Sequence, residues 1–499
     1  MSERDVTFYF EGRRLAGRRG EPIAKALFRA GVRTLSYSVK YKRPRGIHCA
    51  RGRCVMCHMS VDGVPGVPTC ITPLEDGLRV ERENYQPFFA PILTAAVRLF
   101  PFKAGFYYRM FNRPRWLRRF FLHNIRKMAG VGRIRTDPGA HGIRPAGGSG
   151  REINPETERA SFADAYDIVV VGAGLSGLNA AHEASRHGTQ SPSASGLRIL
   201  VIDEYGKPGG HWRGFLIDSE MAASRDRIIE ETLSRNDICY RPGTTALGFY
   251  PPDTLLIGSG GSTGFEPYTG LGTGSGGTAV ANAVTHGVKR IRARAFVFAT
   301  GAYDVTPLFE NNDTPGIFGP RAIRLLLERD RLRPGTRAVV YGTGGLLEET
   351  TALLKHHGIR VASTVKPGGE TKRIGDYQIQ GRIVSARGKE WITGITVAVE
   401  ADGKGGNVAR RSIDCDMLCI AFPGQPAYEL PYQAGFDYTL TDDPLDENRT
   451  LLPRGTAIAS NESGVCVVVA GEAAGVTDAE AKVASGKEAG RMAAEAISS

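Results

Sequence analysis

DIVVVGAGLSGLNAAHEASRHG, residues 167–188, decides the fold. The apolar run Ile168 to Val171 reads as a strand buried on both faces. Gly172, Gly174 and Gly177 follow as G-x-G-x-x-G, and a small-residue helix begins at once. That order is the context in which the motif binds a dinucleotide. Gly172 permits the tight turn, Gly174 lets a pyrophosphate approach the helix N-terminus, and Gly177 allows close helix–strand packing. The next strand, LRILVIDEYGKPGG (197–210), should end in an acid that holds ribose hydroxyls. Asp203 and Glu204 stand there; Glu204, just before Gly209 and Gly210, is favoured. TQSPSAS (189–195) reads as an insertion that lengthens the gap.

Further pieces of the same body follow. FVFATGAY (296–303) reads as a strand ending at Thr300 and Gly301, and VVVAGEAAG (467–475) as one ending at Gly471 and Glu472. In FAD proteins of this plan both ends lie against the cofactor. AVVYGTGGLLEETTALLKHHGIRV (338–361) repeats the glycine turn with Gly342, Gly344 and Gly345, while Leu347 takes the third glycine's usual place. A second dinucleotide fold is expected there, either binding a nucleotide or kept for structure. IGSGGSTGFEPYTGLGTGSGGT (257–278) has no evident strand before it and reads as a surface insertion.

Upstream, DVTFYFE (5–11) alternates like a half-buried strand, Glu21 and Pro22 open a short helix, and Gly31 ends it. Cys49, Cys54 and Cys57 then stand as C-x4-C-x2-C, with Cys70 twelve residues on. This is the plant-type [2Fe-2S] spacing for the first three ligands. Zinc more often uses two C-x2-C knuckles, and only one is present. Arg51, Gly52 and Arg53 let the backbone curl toward the sulfides, and the arginines offset cluster charge. His48 and His58 flank the ligands; loop packing is the plainer reading, histidine ligation the sharper. Cys239, Cys415, Cys419 and Cys466 read as free buried thiols, and the dinucleotide body holds no redox C-x-x-C.

Length and charge bound the rest. A chain of 499 residues exceeds one core. The net charge of +12 is concentrated in residues 101–135, which hold ten Lys or Arg and no acid. There arginine alternates with aromatics, as in bases-stacking or membrane-surface segments, but also as at protein interfaces. Packing against the flavoprotein body and a partner subunit is the preferred reading, with no nucleic acid bound. PGAHGIRPAGGSGREINP (138–155) reads as a linker. No apolar run approaches the roughly 20 residues of a membrane helix. The N-terminus lacks a secretory signal, so the cytoplasm is expected, where a tight cysteine group argues for metal rather than disulfides.

KYKRPRGI (40–47), AGFYYRMFNRPRW (104–116), the GAGLSG turn, ATGAY and DTPGIFG (313–319) together resemble the α-subunits of heteromeric sarcosine oxidases. They are similar also to α-subunits of hydrogen cyanide synthase, opine oxidases and dye-linked proline or hydroxyproline dehydrogenases. The resemblance implies an α/β architecture: an N-terminal β-grasp, ferredoxin-like [2Fe-2S] domain joined to a glutathione-reductase-type flavoprotein with two dinucleotide domains. The expected limits are 1–85 for the cluster domain, 86–163 for a basic-aromatic connector and linker, 164–314 with 440–499 for the FAD domain, and 315–439 for the second, NAD-binding-like domain.

The resemblance further implies an electron-transfer α-subunit of a multi-subunit amine or amino-acid dehydrogenase or oxidase, acting on CH-NH or CH-NH2 donors. A β-subunit resembling D-amino-acid oxidases would carry FAD and oxidise the amine, and some relatives add a small third subunit. Electrons would pass from that flavin through flavin and cluster to an external acceptor. FAD, NAD or ATP occupies the first site in different members, and several carry FMN at a subunit interface. The folate-binding half of the sarcosine enzymes is not in this sequence, so methylene transfer to tetrahydrofolate is not expected. Glu472 stands in place of the more usual Asp, which would shift its contact with the ribityl chain. No residue pair reads as the acid and base of amine oxidation, so no catalytic residue is assigned. The other reading is a self-contained NAD(P)H-dependent flavin/iron-sulfur reductase.

Overall fold

The computed structural model describes residues 5–38, 42–83, 164–190, 197–214, 218–259, 288–367, 378–400, 408–441, 450–458 and 464–498. The basic-aromatic segment, the linker and most of both insertions lie outside these residues, as do Lys40 and Tyr41 of the KYKRPRGI motif.

In the first strand, Asp5–Phe10, Val6, Phe8 and Phe10 face the core while Asp5 and Tyr9 face out, as its two-residue period requires. Glu11 and Gly12 both take positive φ (49° and 80°), the geometry of a tight hairpin turn into the antiparallel strand Arg13–Arg18. Arg79–Arg82 pairs in parallel with the first strand, and His58–Val61 and Val64–Pro68 complete a five-stranded mixed sheet. Helix Ile23–Arg29 lays Ile23, Leu27 and Phe28 on it.

A second, larger sheet is parallel at its centre, in the order 238–241, 199–202, 164–171, 288–298 and 466–469. Ile168, Val169 and Val170 are fully buried, since helices or strands cover both faces. The hairpin 244–250/254–259 joins the N-terminal half of strand Val288–Phe298. The Gly/Ser-rich segment from Ile257 therefore does follow a strand, contrary to the sequence expectation. Leu255 and Ile257 are its buried positions, but two alternating residues are too short a pattern to declare it.

Helix Leu175–Gln190 packs against the C-terminal helix Ala479–Ser498. The contact is close because Gly486 and Gly490 present no side chain: a Cβ there would overlap the carbonyl oxygens of Ser176 and Ala180.

A third sheet, all parallel, has the order 317–318, 417–421, 337–342, 360–366 and 378–380. Helix Gly344–His356 covers it, and a meander, 382–388/392–400/408–414, stands beside it. Cys415, Cys419 and Cys466 are buried as expected, but Cys239 is exposed. It alternates with buried Ile238 on the edge strand Ile238–Arg241, so its side chain points outward. No helix among the described residues is long and apolar enough to cross a membrane.

Gly490→Ala should cost about 1–3 kcal/mol by overpacking and lower the melting midpoint. Gly345→Ala, where an added Cβ meets nothing within 4 Å, should stay within about 0.5 kcal/mol. Thermal unfolding by circular dichroism compares the two; equal losses would contradict this packing.

Candidate functional site

The four N-terminal cysteines come together. Backbone N–H groups of Arg51 and Arg53 donate to Cys49 Sγ at 3.4 and 3.3 Å, and that of Gly52 to Cys70 Sγ at 3.2 Å. Gly52 has φ +73°, and a Cβ there would overlap Ile71, so the curl depends on glycine. The thiols touch in a chain: Cys54 with Cys49, Cys49 with Cys70, Cys70 with Cys57. Hydrogen bonds from Cys54 and Cys70 hold Cys49 below the usual thiol range, and Cys70 does the same for Cys57. Cys54 and Cys70 are raised in return.

A chain of contacts with pairs at its ends suits two irons, each taking two thiolates, better than one zinc. The residues therefore fit a [2Fe-2S] cluster, with Cys49 and Cys54 able to hold one iron and Cys57 and Cys70 the other. His48 Nδ1 lies 3.1 Å from the Ile317 carbonyl oxygen, which accepts from it, the packing role.

Beside the cluster loop lies a cavity of about 790 Å³. Gly172, Gly174, Glu204, Gly210, Thr300, Gly301 and Glu472 all line it. Gly172 has φ +107°, and a Cβ there would overlap the Ala299 carbonyl. A Cβ on Gly177 would overlap the Gly172 carbonyl, so this glycine serves packing. Around Gly174 the nearest atom a Cβ would meet is Gly210 Cα, at 3.9 Å. This open space lies at the N-terminus of helix Leu175–Gln190, where backbone N–H groups and the helix dipole favour an anion. The cavity's size is that of a cofactor pocket, and its open glycine turn fits a dinucleotide. Gly471, with φ +66°, packs on Ser176 behind the cavity. Gly342, Gly344 and Gly345 lie outside its lining.

The adjacent acids have separate tasks. Asp203 accepts from Ala173 N at 2.6 Å and Tyr205 N at 2.8 Å, strapping the strand end to the glycine turn. Burial pushes its carboxyl up to about 6, against those two donors. Glu204 forms an ion pair with Arg53 of the cluster loop. Arg53 also approaches Tyr303 Oη at 3.5 Å, and Tyr303 donates to Glu429 at 2.8 Å.

Glu472 is in the cavity wall, but other groups hold its carboxylate. Arg321 Nη2 lies at 2.7 Å, Lys482 Nζ at 2.9 Å and His211 Nδ1 at 3.8 Å. Burial would raise this carboxyl, but the Arg321 and Lys482 cations hold it far below its usual range. Arg321 also pairs with Asp304. Burial keeps His211 neutral, well below the usual imidazole value, despite Glu472. Arg321 and Lys482 carry no local signal in the sequence; His211 has only GGHW (209–212), a few residues beyond the strand Ile199–Ile202.

An iron–sulfur loop facing a dinucleotide cleft defines the class: an iron–sulfur flavoprotein oxidoreductase. Residues 3–85 match the family model described as a 2Fe-2S iron-sulfur cluster binding domain. Residues 170–226 match the NAD(P)-binding Rossmann-like domain. Sarcosine oxidase subunit alpha of Rhizobium meliloti (strain 1021) is 28% identical over 393 residues, 76% of this chain and 36% of that one. Hydrogen cyanide synthase subunit HcnA of Pseudomonas aeruginosa is 31% identical over 84 residues, 17% of this chain and 80% of the relative. The crystal structure of L-proline dehydrogenase from P. horikoshii shares the fold, with a TM-score of 0.58 at 19% identity over 98% of this chain and 73% of that one. The chain belongs to the family of sarcosine oxidase, opine oxidase and hydrogen cyanide synthase α-subunits, with an N-terminal [2Fe-2S] domain. It spans little more than a third of the Rhizobium sarcosine oxidase subunit's length.

Arg321→Met should cost about 3–5 kcal/mol, because Glu472 and Asp304 lose a buried partner. The depressed Glu472 contributes stability above the ordinary carboxylate pKa of about 4.3, lost as pH falls through the acid range. Glu472→Gln should therefore flatten the acid limb of a stability–pH curve measured by urea unfolding. An unchanged limb would mean that Glu472 titrates normally.

Proposed function

We propose that this chain is the electron-transfer α-subunit of a heteromeric flavin-dependent amine or amino-acid dehydrogenase or oxidase. The amine-oxidising site would lie on a partner subunit resembling D-amino-acid oxidases, and an external acceptor would take the electrons. The observation that carries this reading is that the cluster loop and the glycine turn face one cavity. In this proposal Cys49, Cys54, Cys57 and Cys70 hold a [2Fe-2S] cluster. Gly172, Gly174, Glu204, Gly210, Thr300, Gly301 and Glu472 surround FAD, while Gly177 and Gly471 give the close packing behind it. In the same proposal the domain limits are 1–85, 86–163, 164–314 with 440–499, and 315–439. Bound together, flavin and cluster would supply chemistry that converts two-electron into one-electron transfer.

The chain's own groups suit carrying rather than oxidising. Each carboxylate lining the cavity already has a partner. Asp203 has two backbone donors, Glu204 has Arg53, Glu328 has Arg324 at 3.9 Å, Glu429 has Tyr303, and Glu472 has Arg321 and Lys482. None stands ready as the base an amine would need. The helix N-terminus at Leu175 orients the pyrophosphate, and apolar Leu175, Trp212 and Leu325 exclude water from the cavity wall.

The chain purified anaerobically should carry about two irons, release FAD on denaturation, and give a rhombic EPR signal after dithionite. Cys57→Ser should abolish that signal. A chain without iron and flavin would make it a scaffold and end this reading.

A further inference from the structure

The segment Cys49–Cys54 faces two ways. Its backbone serves the cluster thiolates: Arg51 and Arg53 donate N–H groups to Cys49 Sγ, and Gly52 donates to Cys70 Sγ. Its side chains serve the cavity, because Arg51 and Arg53 line it together with Gly172, Gly174 and Gly210. Ala50 and Gly52 both take positive φ, 52° and 73°. This turns the intervening N–H groups toward the sulfurs. Ile71 blocks any Cβ at Gly52, so the loop has little room to re-route.

The side chains are fastened to the dinucleotide body. Arg53 is ion-paired with Glu204, which ends the strand after the glycine turn. Its guanidinium also sits 5.6 Å from the Tyr303 ring centroid. Arg51 is half-buried, with Tyr205, Asp304 and Glu204 around it and the Arg321 cation also near. A displaced loop would thus move both arginines and release Glu204 at the position expected to hold ribose.

We propose that Arg51 and Arg53 are part of the dinucleotide site, and that cluster and dinucleotide are therefore bound cooperatively. This rests on the reading that the cleft takes a dinucleotide. Arg53 positions Glu204 for a ribose, and Arg51 offers a cation to the pyrophosphate. Without a cluster the loop loses the thiolate order that aims both side chains, and the dinucleotide binds more weakly. Coupling of this kind is reciprocal: whatever factor the cluster adds to dinucleotide affinity, the dinucleotide adds to cluster retention.

The test uses the full chain, loaded with cluster under anaerobic conditions, and FAD as the probe. FAD affinity is measured by fluorescence, and cluster retention by the rate of iron release to bathophenanthroline. In the natural sequence, saturating FAD should slow iron release, and removal of the cluster should weaken FAD binding about tenfold, within the usual range of such couplings. Arg53→Met should keep the EPR signal of the reduced cluster, weaken FAD binding by a similar factor, and lose the protection of iron. Glu204→Gln changes no residue of the cluster loop and removes only its ion pair with Arg53; it should also lose that protection, which keeps the test valid if Arg53→Met fails to load iron. FAD affinity independent of the cluster, with iron release independent of FAD, would overturn the coupling and leave the proposed function standing. A cluster-loaded chain that binds no FAD would overturn both.

Discussion

One apolar core runs from the iron–sulfur domain into the sheet and helix beside it, and the position of the cluster loop depends on it. Phe8, Leu27, Met59 and Leu74 share this core with Phe318, Ile323, Leu326 and Leu354. A unit as small as the N-terminal domain buries a modest share of its surface alone. Packing on its neighbour is therefore a large part of what orders it. Trp391 joins the two, with Phe28 edge-on at 5.7 Å and Phe318 at 6.1 Å. Its indole N–H is satisfied by the Asp416 carbonyl at 2.7 Å, so the ring can be enclosed without an orphaned donor.

Apolar contact holds two bodies together but does not choose their register; polar contacts do that here. Arg43 pairs with Asp313 at 3.1 Å, and His48 meets the Ile317 carbonyl at 3.1 Å. Gly46 approaches Pro315 so closely that a Cβ would sit 3.1 Å from it. All these contacts join the end of KYKRPRGIH to DTPGIF. Two segments that are nearly three hundred residues apart form the two sides of one joint. That joint places Arg51 and Arg53 over the dinucleotide cleft.

The sequence disclosed what local pattern encodes. The alternation of DVTFYF, the glycine turn after Val171 and the cysteine spacing each depend on neighbours within about twenty residues. In the sequence the joint reads as two separate motifs, because nothing in either names the other. The same limit applies to Glu472. Its place after a strand marked it as a cofactor contact, but its carboxylate belongs first to Arg321, which lies 151 residues away. Likewise Glu204 was legible as an acid at a strand end, while its partner Arg53 was read only as a cluster cation. Asp203 stands beside Glu204 in the sequence, but its role is not legible there, because its partners are backbone N–H groups, which every residue has. Cys239 was misread because buriedness on an edge strand depends on which face is covered.

Part of the positive charge of the described residues is gathered around the cavity. Nine Lys or Arg side chains line the cavity against five carboxylates. Several of these cations are costly to keep: burial alone would lower Arg51, Arg53 and Arg321, yet nearby carboxylates and phenols raise all three. Arg329 has both remaining nitrogens on Asp330, at 2.8 and 2.7 Å, and leaves a buried Nη1 without a protein partner. A fold tolerates such desolvation where anionic groups return the lost interaction. In the proposed reading, a pyrophosphate in the cleft and the cluster thiolates in the loop beside it would be two such anions.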